Sequence, residues 1–387
     1  MVESIQEKAH EISPYIIGIR EDIHRHPEAS LHETRTTDLI AAELEQGGIP
    51  YRRLNPTGII AEIKGSVPGK TVALRADIDA LSMTEKTDVP FKSENPGFMH
   101  ACGHDTHCAM LLGAAKILAG MKDQIHGTIR LIFQPAEEIA EGAKLVIAQD
   151  GLKGVDMIFG MHIFSTLPVG GILMRSGASC ACADVFKIKV TGKSSHGSMP
   201  EMGVDATVAA AAIIMNLQSI VSRELSPMKP CVVTVGKLVS GTRFNIVSGE
   251  AEMEGTCRCF DVELHHSLPA LIERIAARTA ETYRCTAEVE YNMLTEVLVS
   301  DPDAIKLVQG SAAKVVKSPE LLGELPMLMG AEDFAEYTTH CQAAFAALGG
   351  GGKAPQHSDY FWIDESALET GAAMYAQVAI DFLTQNQ

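Results

Sequence analysis

The sequence predicts an α/β fold in two parts: a layered domain on a largely parallel sheet, and a smaller ferredoxin-like α+β domain inserted into it. Three observations predict it. Between residues 58 and 162, strand-like and helix-like segments alternate, the pattern of helices packed on a parallel sheet. Near residue 184 the pattern switches to strict apolar/polar alternation, as in half-buried antiparallel strands. After about residue 296 the α/β alternation resumes. The expected boundaries are 1–184 with 296–387 for the first domain and 185–295 for the insertion. A chain of 387 residues is long enough for two cores.

Each element has its own pattern. Ile16, Ile17, Ile19 and Ile23, then Leu39, Ile40 and Leu44, recur at helical spacing over 5–47, with a break at Pro27. Strands are expected over 58–63, 71–76, 127–133 and 155–160, with a buried Ala/Leu-rich helix over 106–121 and another helix running to 149. Asp77, Glu137, Glu138 and His162 then each follow a strand directly, where open sheets of this kind place their sites. In the insertion, strands near 184–190, 231–238, 250–258 and 286–291 are interleaved with helices at 204–222 and 262–282, the order strand-helix-strand-strand-helix-strand. A strand at 342–348 runs into four glycines, and a helix over 365–384 closes the chain.

Charge and composition exclude several roles. The chain carries 49 acidic against 32 basic residues, a net charge of −17; that field repels phosphate backbones, so no nucleic-acid partner is expected. The opening residues Met1-Val2-Glu3-Ser4-Ile5-Gln6-Glu7-Lys8 are polar, so no secretion signal is expected. No stretch is expected to reach the ~18 apolar residues of a membrane span. An odd count of nine irregularly spaced cysteines argues against a disulfide framework. The expected location is the cytoplasm, where thiols stay free to ligate metal.

The chemistry concentrates in Met99-His100-Ala101-Cys102-Gly103-His104-Asp105, with His107 close behind. A thiolate and imidazoles at such spacing suit zinc or another borderline transition metal. The plain alternative is a polar loop around a buried cysteine. Cys102 and His104 cannot complete a site by themselves. Glu137-Glu138 offers two carboxylates, one to bind metal and one to face the reacting water, although acidic pairs also favour helix N-termini. His162 and His357 are weak candidates singly. Together Cys102, His104, Glu138, His162 and His357 exceed one tetrahedral zinc and fit two metals sharing a bridge, a role open to a thiolate; two-metal hydrolysis follows. In the insertion, His196 sits among small residues in Gly192–Pro200, and Asn245 and Arg258 are candidates for holding a carboxylate. Cys180-x-Cys182 and Cys257-x-Cys259 read as packing residues rather than metal pairs.

These segments, with His24-Arg25-His26-Pro27-Glu28, Arg75-Ala76-Asp77-Ile78-Asp79-Ala80-Leu81, Phe133-Gln134-Pro135-Ala136-Glu137-Glu138 and Gly160-Met161-His162, resemble the metal-dependent amidohydrolase family of hippurate hydrolase, bacterial aminoacylases and plant indole-acetyl-amino acid hydrolases. The motifs occur in family order over essentially the whole chain. The resemblance implies a catalytic domain interrupted by a lid domain that also dimerises the protein. It implies two divalent metals (Zn²⁺ or Mn²⁺, with Co²⁺ or Ni²⁺ as alternatives) on Cys102, His104, Glu138, His162 and His357. It makes Glu137 the general base, Asp77 a group steadying a ligand histidine, and His196 the oxyanion-stabilising residue, reaching the neighbouring subunit's site. Asn245 and Arg258 match residues holding the substrate carboxylate. The implied reaction is hydrolysis of N-acyl amino acids or short peptides to a carboxylic acid and a free amino acid.

Two departures touch the substrate side. Glu201 stands where the family commonly has a second histidine, and Asn245-Ile246-Val247-Ser248 replaces Asn-Val-Ile-Pro. One alternative is a dipeptidase or carboxypeptidase with the same metals. The other is a non-catalytic metal binder, against which Glu137 argues, because a binder has no use for a base beside its ligands.

Overall fold

The computed structural model describes residues 4–385. Met1, Val2 and Glu3 of the opening segment, and Asn386 and Gln387, lie outside the described residues.

The chain opens with α1 (Ile5–Glu11), started by a Ser4/Glu7 capping box, then α2 (Ser13–Arg25) and α3 (Thr34–Gln46). α2 stops ahead of Pro27, and the Glu28 carboxylate accepts from the amides of Arg35 and Thr36 in the first turn of α3. Strands β1 (Tyr51–Arg53), β2 (Ile59–Lys64) and β3 (Val67–Asp77) follow, then α4 (His104–Ala119), β4 (His126–Gln134), α5 (Gly142–Ala148), β5 (Met157–Phe164), β6 (Ile172–Met174) and β7 (Gly177–Cys180). Next come β8 (Ala183–Thr191), β9 (Ser195–His196), α6 (Ala206–Ser219), β10 (Cys231–Ser240), β11 (Ile246–Val247), β12 (Glu250–Cys259), α7 (Val262–Thr282), β13 (Thr286–Thr295) and β14 (Leu298–Ser300). The chain ends with α8 (Pro302–Val315), β15 (Leu322–Glu324), β16 (Gln342–Gly349) and α9 (Ala367–Gln385).

The chain forms two compact units. The first comprises Met1–Gly177, Val299–Pro326 and Asp333–Gln387; the second comprises Ala178–Leu298 and Met327–Glu332. The segment 185–295 lies inside the second unit.

The first unit is built on an 8-stranded sheet in the order β1-β2-β4-β3-β5-β16-β6-β15. Its centre is parallel (β4/β3, β3/β5, β5/β16), while β1, β2 and β6 pair antiparallel with their inner neighbours. α4 is buried almost all round and packs with α9 and β3 in the core. Two positions differ from the sequence expectation. His162 lies inside β5 and Asp77 is the last residue of β3, because pairing with β16 extends β5 to Phe164 and pairing with β4 carries β3 through Asp77.

The second unit carries a 4-stranded antiparallel sheet in the order β10-β12-β8-β13. In order of occurrence that is 2-3-1-4, the ferredoxin-like arrangement. α6 packs on it through Ala206, Ala209, Ala210, Ile213 and Leu217. The helical stretch Ala206–Glu224 is long and apolar enough to cross a membrane, contrary to expectation, because Ala and Ile crowd its length. Here that apolarity is two-sided: one face is buried, while Val208 and Met215 are exposed.

Candidate metal centre

Gly103 sets the geometry of the Cys/His loop. Its φ is 93°, a left-handed conformation, and a Cβ here would lie 2.5 Å from Ile163 Cγ2. The turn places Cys102 ahead of α4 and starts the helix at His104. Cys102 Sγ lies 3.2 Å from His162 Nε2. The other nitrogen of His162, Nδ1, donates to the Ile163 carbonyl at 2.7 Å, so Nε2 presents its lone pair. Burial, then His107, hold the His162 pKa well below its ordinary value, keeping the ring neutral as a ligand must be.

His104 is oriented the same way. Its Nδ1 lies 3.0 Å from the Asp79 carbonyl and 3.1 Å from Asp79 Oδ1. Its Nε2 is buried and has no hydrogen-bond partner among the described residues. That nitrogen is 3.9 Å from Glu138 Oε1, itself buried and without a hydrogen-bond partner among the described residues, and 4.0 Å from Glu137 Oε2. Glu138 Oε2 lies 3.6 Å from Nε2 of the exposed His357.

The ligand atoms of Cys102, His104 and His162 lie within 4.8 Å of one another, and so do those of Cys102, Glu138 and His357. Cys102 is common to both groups. Orphaned nitrogen and oxygen atoms converging with a thiol fit divalent metals better than any protein contact. Burial pushes the Cys102 thiol far above its ordinary pKa; His104 opposes this and Glu138 adds to it. Burial also raises Glu138, against His104 and His357. A bound cation reverses both, since a coordinating thiol is deprotonated outright.

The supporting residues sort themselves by contact. Asp77 Oδ1 lies 2.5 Å from His107 Nδ1, while the Ile163 amide donates to His107 Nε2 at 2.8 Å. Both nitrogens of His107 are therefore taken, and it braces β5 rather than binding metal. Asp77 also lies 3.7 Å from His104 Nε2, but Asp79 is the residue that holds His104 Nδ1. Asp105 accepts from Arg20 and His24, each at 2.8 Å, which accounts for His24 in its motif. His100 is buried, with its pKa lowered to about 4 by burial, and its nitrogens have no hydrogen-bond partner among the described residues.

Sequence reasoning passed over Asp79, Arg75 as a site-building residue, and Asp333. Arg75 donates to Asp77 (2.6 Å), Gln134 (2.8 Å) and Asp333 (2.7 Å), tying the ends of β3 and β4 together. Asp333 also accepts from Gln134 and the Ala143 amide, and its own amide lies 3.4 Å from Glu137 Oε1. The repeated acid in Asp77-Ile78-Asp79 was the available signal for Asp79. Asp333 had none beyond its charge.

In the second unit, β9 pairs with β11, setting His196 opposite Ile246, and the Gly197 amide donates to the Asn245 carbonyl at 2.8 Å. His196 is exposed; its Nδ1 accepts from the Ser198 amide at 3.1 Å, which leaves Nε2 as the N–H donor. Asn245 Oδ1 is buried without a hydrogen-bond partner among the described residues. Arg258 on β12 donates to Thr256 Oγ1 and the Cys257 carbonyl, each at 3.1 Å.

Residues 73–381 match the sequence model of Peptidase family M20/M25/M40. The chain belongs to that family. Similar family members include "Thermostable carboxypeptidase 1" of Saccharolobus solfataricus, 38% identical over 99% of both chains. "N-acetylcysteine deacetylase" of Bacillus subtilis is 38% identical over 94% of this chain and 96% of its own. A crystal structure of the Bacillus subtilis YXEP protein, described as a dinuclear metal binding peptidase from the M20 family, has a TM-score of 0.87 at 35% identity, covering 97% of this chain and 99% of that one. The fold of this family and a centre for two divalent metals are therefore properties of this chain.

Proposed function

We propose that this protein hydrolyses the amide bond of N-acyl amino acids, releasing a carboxylic acid and a free amino acid. The observation that carries the reading is the placement of Glu137. Its half-buried carboxylate lies 4.0 Å from His104 Nε2, beside the ligand Glu138 yet outside both groups of metal-binding atoms. Cys102, His104, Glu138, His162 and His357 would hold two ions, Cys102 being common to both groups of ligand atoms. Divalent metal bound there would supply Lewis-acid polarisation. Glu137 takes a proton from the water that attacks the carbonyl carbon, then passes it to the leaving nitrogen. His196, with Nε2–H free to donate, stabilises the oxyanion. Asn245 and Arg258 hold the substrate carboxylate, and Asp77 and Asp79 fix histidines at the centre. Zn²⁺ suits a shared thiolate best, with Mn²⁺, Co²⁺ or Ni²⁺ as alternatives.

The protein is a homodimer through its second unit, so that His196 serves the partner's centre. Support comes from the edge strand β10, whose Leu238 and Val239 are exposed together with Met215 of α6; an open edge beside an apolar helix face suits a second copy. The location is cytoplasmic, in keeping with nine free thiols, one of them a metal ligand.

The test sets N-acetyl and N-benzoyl amino acids beside dipeptides and longer peptides, with metal analysis of the same preparation. N-acyl amino acids turning over fastest at two ions per chain is the expected result. A preference for peptides would favour the carboxypeptidase reading, which the Saccharolobus relative's name supports. No hydrolysis by metal-replete protein would overturn both.

A further inference from the structure

We propose that Cys182, Cys259, Asp184 and His265 form a further cation site, for zinc or another thiophilic divalent ion, buried within the second unit and separate from the catalytic centre.

The site is written into the strand register. β12 and β8 run antiparallel with Cys257 opposite Asp184, so Cys259 falls opposite Cys182, just ahead of β8. The Cys182 amide donates to the Cys259 carbonyl at 3.0 Å, and the Cys259 amide lies 3.2 Å from Cys182 Sγ. The two sulfurs are 3.5 Å apart and are free thiols. Two thiolates on one tetrahedral zinc, with bonds of ~2.3 Å, stand about 3.8 Å apart. The nearby sequence pairs Cys180-x-Cys182 and Cys257-x-Cys259 conceal this, because the partnership crosses the strands.

Asp184 and His265 complete the set. Asp184 shares a sheet face with Cys182, and His265 is brought by the first turns of α7. His265 Nε2 is 2.9 Å from Asp184 Oδ1, and the ligand atoms of Cys182, Asp184 and His265 lie within 4.8 Å of one another. All four residues are fully buried. The outer contacts have the form found around metal ligands. Tyr291 donates to Asp184 Oδ2 at 2.5 Å, leaving Oδ1 for the ion, and His265 Nδ1 is held by Glu296 Oε2 at 3.2 Å. The catalytic centre of this chain shows the same pattern, a thiol close to one histidine nitrogen while the other nitrogen is fixed.

The His265 ring lies between the carboxylates of Asp184 and Glu296. On binding, the protons on the ligand atoms, including those of the two thiols, would pass to water. Four protein ligands with no open position make a closed, structural site. It fastens the start of β8 and the end of β12 to α7.

The test compares the full chain with a Cys182→Ser/Cys259→Ser variant. Both are stripped of metal, reloaded with Co²⁺ and dialysed. The expected result is one ion fewer per chain in the variant, with loss of part of the thiolate-to-cobalt absorption. Equal metal content and equal spectra overturn the proposal. If the double variant fails to fold, the unmodified protein decides: crystals grown with Zn²⁺ give an anomalous peak among Cys182, Cys259 and His265, and absence of that peak overturns it. A Cys182–Cys259 disulfide in protein kept under reductant also overturns it. Glu296→Gln should weaken the additional ion by about 10–100-fold, as loss of an outer contact does.

Discussion

His104 turns its Nδ1 onto Asp79, 3.1 Å from Oδ1, and thereby aims its buried Nε2, which has no hydrogen-bond partner among the described residues, at Glu138. The same carboxylate accepts from Ser30 Oγ at 2.6 Å and the Glu138 amide at 3.1 Å. Asp79 therefore fixes two proposed metal ligands, His104 and Glu138, at once. Asp79→Ala should lower metal affinity by about 10–100-fold, read by competition against a chelator. Unchanged affinity would reduce Asp79 to a packing role.

Glu137→Gln keeps the size of the side chain and removes the proposed base. Metal content should stay at the wild-type value while turnover falls by about 10²–10⁴-fold. Initial rates and metal analysis on the same sample check this. Near-normal turnover would end the assignment.

Gly103→Ala sets a Cβ 2.5 Å from Ile163 Cγ2 in a residue with φ of 93°. Either the loop shifts or β5 does, and Ile163 carries the amide that holds His107. We expect a loss of about 1–3 kcal/mol in denaturant unfolding, with weakened metal binding.

Asp105 is buried between Arg20 and His24. Against the cost of burial, Arg20 and then His24 hold its carboxyl well below the usual range. Asp105→Ala removes the acceptor that Arg20 and His24 share, leaving Arg20 with Glu365 and His24 with Glu85, and should cost about 1–3 kcal/mol. The pH dependence follows from the sign of the shift. A depressed folded pKa stabilises above the unfolded value of about 3.9, and that contribution is lost as pH falls below it. Unfolding free energy of the wild type should therefore drop more steeply below about pH 4 than that of Asp105→Asn.

Val239 is exposed on the edge strand β10. Val239→Lys should convert a sedimenting dimer into a monomer, since a charge on an open edge blocks pairing. A chain already monomeric at micromolar concentration would remove the basis for His196 acting across subunits.

Much of this protein was legible locally. Helix α4, the strands from β2 to β5 and the ferredoxin-like order of the second unit follow from local pattern: α4, β5 and the second half of β3 are apolar runs buried on all sides, while β8 of the second unit alternates. Cys102, His104, Glu138, His162 and His357 were legible as types and by their order along the chain. Two errors were of reach. His162 was expected after its strand, yet β5 continues through it, because β16 supplies pairing that no local pattern reveals. No segment was expected to match a membrane span, yet 206–224 does so by length and composition.

By itself, the sequence determined the α/β class, the inserted α+β unit and the residue types of a two-metal centre, since these depend on spacing along one chain. Only the tertiary structure decided which acid serves which histidine: Asp79 for His104, Asp77 for His107. It also decided that Cys102 belongs to both ligand groups, and that Cys182 meets Cys259 instead of its own neighbours. Those choices rest on strand register and on distances across the fold, where an ångström separates a ligand from a brace.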